Sequence, residues 1–285
     1  MNNQTQIREL QNKDEMLKSQ FVAHICFNNA EKLNYLSWAL SLIGALLIIV
    51  PTGDGIIALF IPILVDVITL VFRILARKNV AWAAKLRNYF DNIVLGLDNH
   101  ISDAEVSSIT EKINIITGRY QKKCSNIIHN TDQSNVPGLK DWYSFPKETK
   151  SPLDAVFECQ RQNFWWTEKQ NHIRKIIYGL VIFLFIIVFM VGIHFYPVKT
   201  LACVLGLFVN LIDDIRENYK SQILLEKMKA LIDTPNASSD QNIISQLQNY
   251  IEQRRELLAI EINFVHSKNA KKWSRLYNST YQNHN

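Results

Sequence analysis

Apolar positions along the chain gather into two long blocks separated by polar sequence. The first runs from Tyr35 to Phe72, with Pro51, Gly53 and Gly55 at its centre; the second runs from Ile176 to Ile212, with Pro197 at its centre. Each block exceeds one span of about 20 residues and carries a turn signal midway, so each predicts a transmembrane helical hairpin. The outermost apolar stretches, at about 15 residues each, give only about 23 Å of helix against a hydrocarbon core near 30 Å. Such a mismatch favours tilt, bilayer thinning or association of copies.

Between and beyond the blocks the pattern changes to amphipathic helix. No break follows Phe72 before about Leu97, so the second membrane helix is expected to continue into the polar region. Ser102 followed by Glu105 marks a capping box, and Val106, Ile109, Ile113, Ile116 and Tyr120 recur at helical spacing after it. A long loop is expected over about 130–150. Ser151, Pro152 and Asp154 then open a helix that nothing interrupts before the third membrane segment. After Ile212 a further helix is expected, then a turn at "TPNASSD". A last helix carries Ile244, Leu247, Ile251, Leu258, Ile262 and Val265, with Arg254 interrupting its apolar seam and either the domain interior or another subunit as its partner.

The expected fold class is therefore all-α and integral to a membrane: two transmembrane hairpins whose long helices extend into a cytoplasmic helical domain. The boundaries are an N-terminal helix over 1–34, a hairpin over 35–75, a helical ligand-sensing region over 76–175, a second hairpin over 176–212 and C-terminal helices over 213–285. Charge sets the orientation. Of 31 Lys and Arg residues all but Arg73 and Lys199 lie in the three regions outside the hairpins. Arg73, Arg77 and Lys78 flank one hairpin, Arg174 and Lys175 the other, which places both termini and the middle region in the cytoplasm. The first 34 residues are polar and mixed in charge, and no cleavable signal is read there.

Composition narrows the chemistry. Four cysteines stand singly and seven histidines are scattered, with no metal-ligand spacing among them. No P-loop, HExxH or GxSxG occurs, so no enzyme is expected and no cofactor is assigned. A net charge of +5 without a concentrated basic stripe argues against DNA or RNA as a partner.

One stretch, "FECQRQNFWWTEKQNHIRK", places charged residues and two tryptophans just below a membrane segment. On a straight helix Trp165 falls about 15 Å and Arg161 about 21 Å below the edge at Lys175. Arg87 falls at a matching depth below Arg73. If the two helices are neighbours, Arg87, Phe90, Asp91, Phe157, Gln160 and Arg161 share one level, with Asn163, Trp165 and Trp166 above and the Trp142–Tyr143–Ser144 loop free to fold over. Guanidinium groups beside rings suit a planar anionic ligand. They equally suit an ordinary core in which Arg161 pairs with Glu158 or lies on Trp165. Inside the first hairpin Asp66 is the outstanding acid, with Asn210 and Thr69 as candidate partners; both a structural hydrogen bond and a gating role for Asp66 and Asn210 follow from burying a carboxylate in lipid.

The blocks "KLRNYFDNIVLGL", "LKDWYSFP" and "AVFECQRQNFWWTEKQNHIRK" resemble those of the SMODS-associated four-transmembrane effector family, found beside cyclic-oligonucleotide synthases in bacterial anti-phage (CBASS) operons. Phe90-Asp91, Trp142-Tyr143-Ser144 and Cys159 to Trp166 carry the likeness. Where the family pattern has Trp-Asn after the Phe-Asp block, this chain has Asp98-Asn99. The resemblance implies an inner-membrane, multi-pass homo-oligomer. A cyclic di- or trinucleotide would activate it, and it would disrupt the bilayer to abort infection. It also implies a functional link to a nucleotidyltransferase without required contact. A nucleotide-independent channel or transporter, or a membrane-anchored nucleotide-processing enzyme, are the competing expectations.

Overall fold

Helix termini and apolar faces account for most of the architecture. The computed structural model describes residues 1–47, 56–97, 101–131, 134, 138–195, 197–259 and 263–282. Among these the regular elements are α1 (Gln4–Gln11), α2 (Asp14–Leu46), α3 (Ile56–Leu95), α4 (Asp103–Arg119), α5 (Gln121–His129), α6 (Pro152–Phe195), α7 (Pro197–Ile232), α8 (Gln241–Arg255) and α9 (Asn263–Gln282). The described residues form helices and no strand. Pro51, Gly53 and Gly55, expected as a turn, and the Asp98-Asn99 pair lie outside the described residues.

Local rules set the boundaries. Ser151 accepts a hydrogen bond from the Asp154 N–H at 3.2 Å, and the Asp154 carboxylate in turn accepts one from the Lys150 N–H at 3.0 Å, as expected for a capped helix start. Ser102 likewise caps α4, accepting from the Glu105 N–H, while the Glu105 carboxylate reaches Lys85 at 3.3 Å. α3 stops at Leu95 because Gly96 takes a left-handed φ of 63° and Asn2 supplies donors to the carbonyls of Ile93, Val94 and Leu95.

Three expectations need correction. The N-terminal region is two helices, and the second, α2, runs without interruption to Leu46. Tyr120 does not continue the buried face of α4: it is the junction between α4 and α5 and is 38% exposed. The last helix is two helices. α8 ends at Arg255, and Leu258 sits buried in the break. Ile262 lies outside the described residues, and only the backbone of Val265 is described.

α2 and α3 pack antiparallel, from Glu15 beside Tyr89 at one end to Gly44 against Val65 near the other. α6 and α7 form the second long pair, and α7 also lies on α2 and α3. One end of the molecule holds a large apolar core of Phe21, Leu86, Phe90, Ile109, Tyr143 and Leu247, among others. At the other end the helices expose large apolar side chains, including Phe60, Leu64, Phe183, Leu184, Leu201 and Leu205. Among the described residues one helix, α6, carries a stretch long and apolar enough to cross a membrane, with 6% of that stretch buried.

α3 and α6 are not direct neighbours along their length. α8 packs on both, and on α7, and the segment around Tyr143 completes the bridge. The physical reason is the apolar face of α8: Ile244, Leu247 and Ile251 require burial and occupy the space between the two long helices.

Candidate functional site

The bridge between α3 and α6 is polar. Tyr143 is fully buried and donates to Asp91 Oδ1 at 2.6 Å, and Asn163 of α6 donates to the Tyr143 hydroxyl at 3.0 Å. Arg255 of α8 meets Asp91 Oδ2 at 2.7 Å and Asn88 at 3.0 Å. Gln160 donates to the Ile244 carbonyl and to Gln248, which in turn faces Asp91. Burial, reinforced by the Asp91 charge, pushes the Tyr143 phenol well above its ordinary value, so it stays a donor. The loop that carries Tyr143 is not loose. Gln11 exchanges hydrogen bonds with the Tyr143 backbone, Asn12 with Asp141, and Gln4 accepts from Thr149. Asp141 accordingly holds a left-handed φ of 55°.

Beside this bridge opens a cleft lined by Arg87, Asn163, Phe164, Thr167, Met228, Ile251, Arg254 and Arg255, with about 340 Å³ of space counted out to solvent. Four helices supply it: α3, α6, α7 and α8. Arg87 is held between two rings, its guanidinium 5.0 Å from Phe27 and 4.8 Å from Trp142. Three arginines, one from α3 and two from α8, line the cleft, and one of them, Arg255, is paired with Asp91. Planar, multi-donor cations in such a setting suit phosphate or carboxylate oxygens.

The predicted residues thus divide. Arg87, Phe90, Asp91, Tyr143, Gln160 and Asn163 come together at the bridge and cleft, with Trp142 stacked on Arg87. Ser144 faces Gln162 instead, through its N–H and hydroxyl. Arg161, Trp165 and Trp166 turn toward α9. Arg161 pairs with Glu158 and lies 3.9 Å over the Tyr281 ring. Trp165 packs edge-on to Trp166 and Tyr277, and Trp166 to Trp273. Burial raises the Glu158 carboxyl even with Arg161 beside it. Sequence reasoning missed Arg255, Gln248 and Phe27 as neighbours of the site. The signal for α8 was Arg254, an arginine set in an apolar seam.

Below the exposed apolar surface a second polar network ties the helices together. Arg73 pairs with Asp213 and Asp214, Arg77 with Asp213 at 2.7 Å and with Glu217 at 3.5 Å, and Trp38 donates to Asp214 at 2.9 Å. The break after α8 is gripped from here: Glu217 accepts the Leu258 N–H at 3.2 Å, and Arg174 donates to the Ala259 carbonyl at 2.7 Å and to Ser221. The two arginines at the cleft therefore sit at the end of a helix whose next residues are clamped to α6 and α7. Asn210 does not meet Asp66; it donates to Ser37 and Ser41. Asp66 lies against Gly206, where a Cβ would fall 1.8 Å from its Oδ1. Among the described residues no cluster of His, Cys, Asp or Glu assembles as metal ligands.

A family model described as the SMODS-associating 4TM effector domain matches residues 5–239, from α1 to just before α8. No curated protein and no solved structure matches the chain.

Proposed function

The chain belongs to the SMODS-associating 4TM effector family, and from that premise we propose that it is a non-catalytic, cyclic-oligonucleotide-gated effector that permeabilises the bacterial inner membrane during anti-phage defence. The observation that carries the reading is the cleft at which Arg87, Arg254 and Arg255 converge, set between α8 and three helices, α3, α6 and α7, that continue into the apolar end. Arginine forks grip phosphate, and Phe27 and Trp142 hold the Arg87 fork in position for it. The cleft is small and open to solvent, well short of what encloses a small ligand on its own, so a cyclic di- or trinucleotide is held only in part by one protomer and shared with a second. Four helices, α2, α3, α6 and α7, cross the bilayer in this reading as two hairpins, with both termini cytoplasmic.

Occupancy draws Arg254 and Arg255 toward the ligand, and the clamp of Leu258 and Ala259 by Glu217 and Arg174 passes that displacement to α6 and α7. The ligand shifts the membrane helices only by as much as it binds the rearranged state more tightly. A second reading is a nucleotide-independent channel, favoured by Asp66 in the apolar part of α3.

A thermal-shift panel of cyclic di- and trinucleotides on the purified protein, followed by dye release from liposomes, tests the proposal. One nucleotide should stabilise the wild type, lose its effect in Arg87→Ala and Arg254→Gln, and alone trigger release. No stabilisation across the panel removes the nucleotide from the reading. Stabilisation without release removes the membrane damage. Constitutive release that depends on Asp66 selects the channel.

A further inference from the structure

Cations that are scattered in sequence come to one level in the fold. Within two turns of the exposed apolar surface, the four long helices each present an exposed base: Lys32 on α2, Lys78 on α3, Lys175 on α6 and Arg216 on α7. The acids of the same level point inward. Glu31 is buried and accepts from Tyr35, and Asp213, Asp214 and Glu217 are engaged by Arg73 and Arg77. The level therefore shows bases to the outside and keeps its acids within.

α9 adds the largest share. Its 20 residues contain no acid, and Lys268, Lys271, Lys272 and Arg275 fall at helical spacing on one exposed stripe. The opposite face is fixed to α6 by Trp273, Tyr277 and Tyr281, which meet Trp166, Trp165 and Arg161 in that order. α9 thus runs antiparallel to α6, and its lysines lie nearest the level of Lys175. The clamp of Ala259 by Arg174 anchors the chain at that same height. The exposed Glu256, at the end of α8, offsets one of these charges.

We infer that this collar, with the α9 stripe as its main part, is a binding surface for the phosphates of anionic lipid headgroups. The inference rests on the membrane reading above. The partner follows from charge complementarity and from continuity with the apolar surface: the bases stand where headgroups would lie. A juxtamembrane lysine changes association with an anionic surface by roughly fivefold, and the effect fades within a Debye length. α9 lies beyond the segment shared with the family, so the main part of this surface belongs to the chain's C-terminal part, while Lys32, Lys78, Lys175 and Arg216 lie within the shared segment.

The test uses the full chain in nanodiscs of phosphatidylcholine or of equal parts phosphatidylcholine and phosphatidylglycerol. Spin-labelled phosphatidylglycerol and phosphatidylcholine report the lipid held at the protein surface. The wild type should immobilise the anionic label severalfold more than the neutral one at low salt, and much less so at high salt. The Lys268→Gln, Lys271→Gln, Lys272→Gln triple variant should lose most of that preference, with a thermal scan in the same nanodiscs showing that it remains folded. Free inorganic phosphate at equal concentration should compete weakly; full competition would mark a soluble anion as the ligand and overturn the assignment to lipid. Equal immobilisation of the two labels, or a preference the triple variant retains, overturns the collar. Failure of the chain to enter lipid at all strikes instead at the membrane reading.

Discussion

Asp91 and Arg255 meet at 2.7 Å, both side chains buried, one on α3 and the other on α8. This ion pair joins the segment shared with the family to a helix beyond it, and its Arg255 lines the arginine cleft. Around it Tyr143, Asn163 and Gln248 complete a closed polar cluster in an otherwise apolar core.

Breaking the pair from one side leaves an uncompensated buried charge. Arg255→Ala should therefore lower stability by about 3–5 kcal/mol, whereas an Asp91→Asn, Arg255→Gln double variant should recover a large part of the loss. Denaturant unfolding in detergent checks both, and equal losses in the single and double variants would deny the pair its role.

The clamp on the α8–α9 break separates binding from its consequence. Glu217→Gln weakens the grip on Leu258 without touching the cleft. Nucleotide binding should stay within about threefold of wild type while ligand-triggered dye release falls at least tenfold, and Arg174→Gln should behave alike. Binding and release that fall in step would mean the clamp only supports the fold.

Gly206 exists to admit Asp66. Gly206→Ala places a methyl group into the carboxylate, so α3 and α7 must separate or Asp66 must turn away. The expected outcome is overpacking that costs about 1–3 kcal/mol, with raised release from liposomes in the absence of any nucleotide. Unchanged stability and basal release would show that α3 and α7 do not hold this contact.

Acid should loosen the network under the apolar surface. Burial alone would raise the Asp213 carboxyl, but the hydrogen bonds and charges of Arg73 and Arg77 outweigh it and hold the group below its ordinary value of 3.8. Its folded pKa being depressed, its contribution is complete above that ordinary value and is lost as pH falls through the lower, folded one. Asp213→Asn should thus melt earlier than wild type near neutrality, and the gap should close toward strongly acidic pH. Glu158 runs the other way: its raised folded value means stability declines as pH climbs above the ordinary 4.5.

Height along the helices was legible in the sequence, and azimuth was not. The rise per residue places Arg87, Asp91 and Gln160 at one level, and these residues do share a bridge. The same count placed Arg161 with them, yet Gln160 and Arg161 lie about 100° apart around α6, so one faces α8 and the other α9. The capped start at Ser151 and the buried face at Ile109, Ile113 and Ile116 could be read because they depend on near neighbours. That α8 fills the space between α3 and α6 could not, because it depends on which distant apolar face competes best for burial. Arg254 marked the seam of α8 as unusual without revealing what it faced.

The grip of Arg174 on the Ala259 carbonyl falls almost at the midpoint of α6, which runs unbroken from Pro152 to Phe195. A stiff rod held there behaves as a lever with its fulcrum at Arg174. Asn163 stands about 16 Å to one side and Phe195 about 32 Å to the other. A sideways displacement of about 1 Å at Asn163 accordingly becomes about 2 Å, in the opposite sense, at the far tip, a mechanical advantage set by where one arginine sits along a helix.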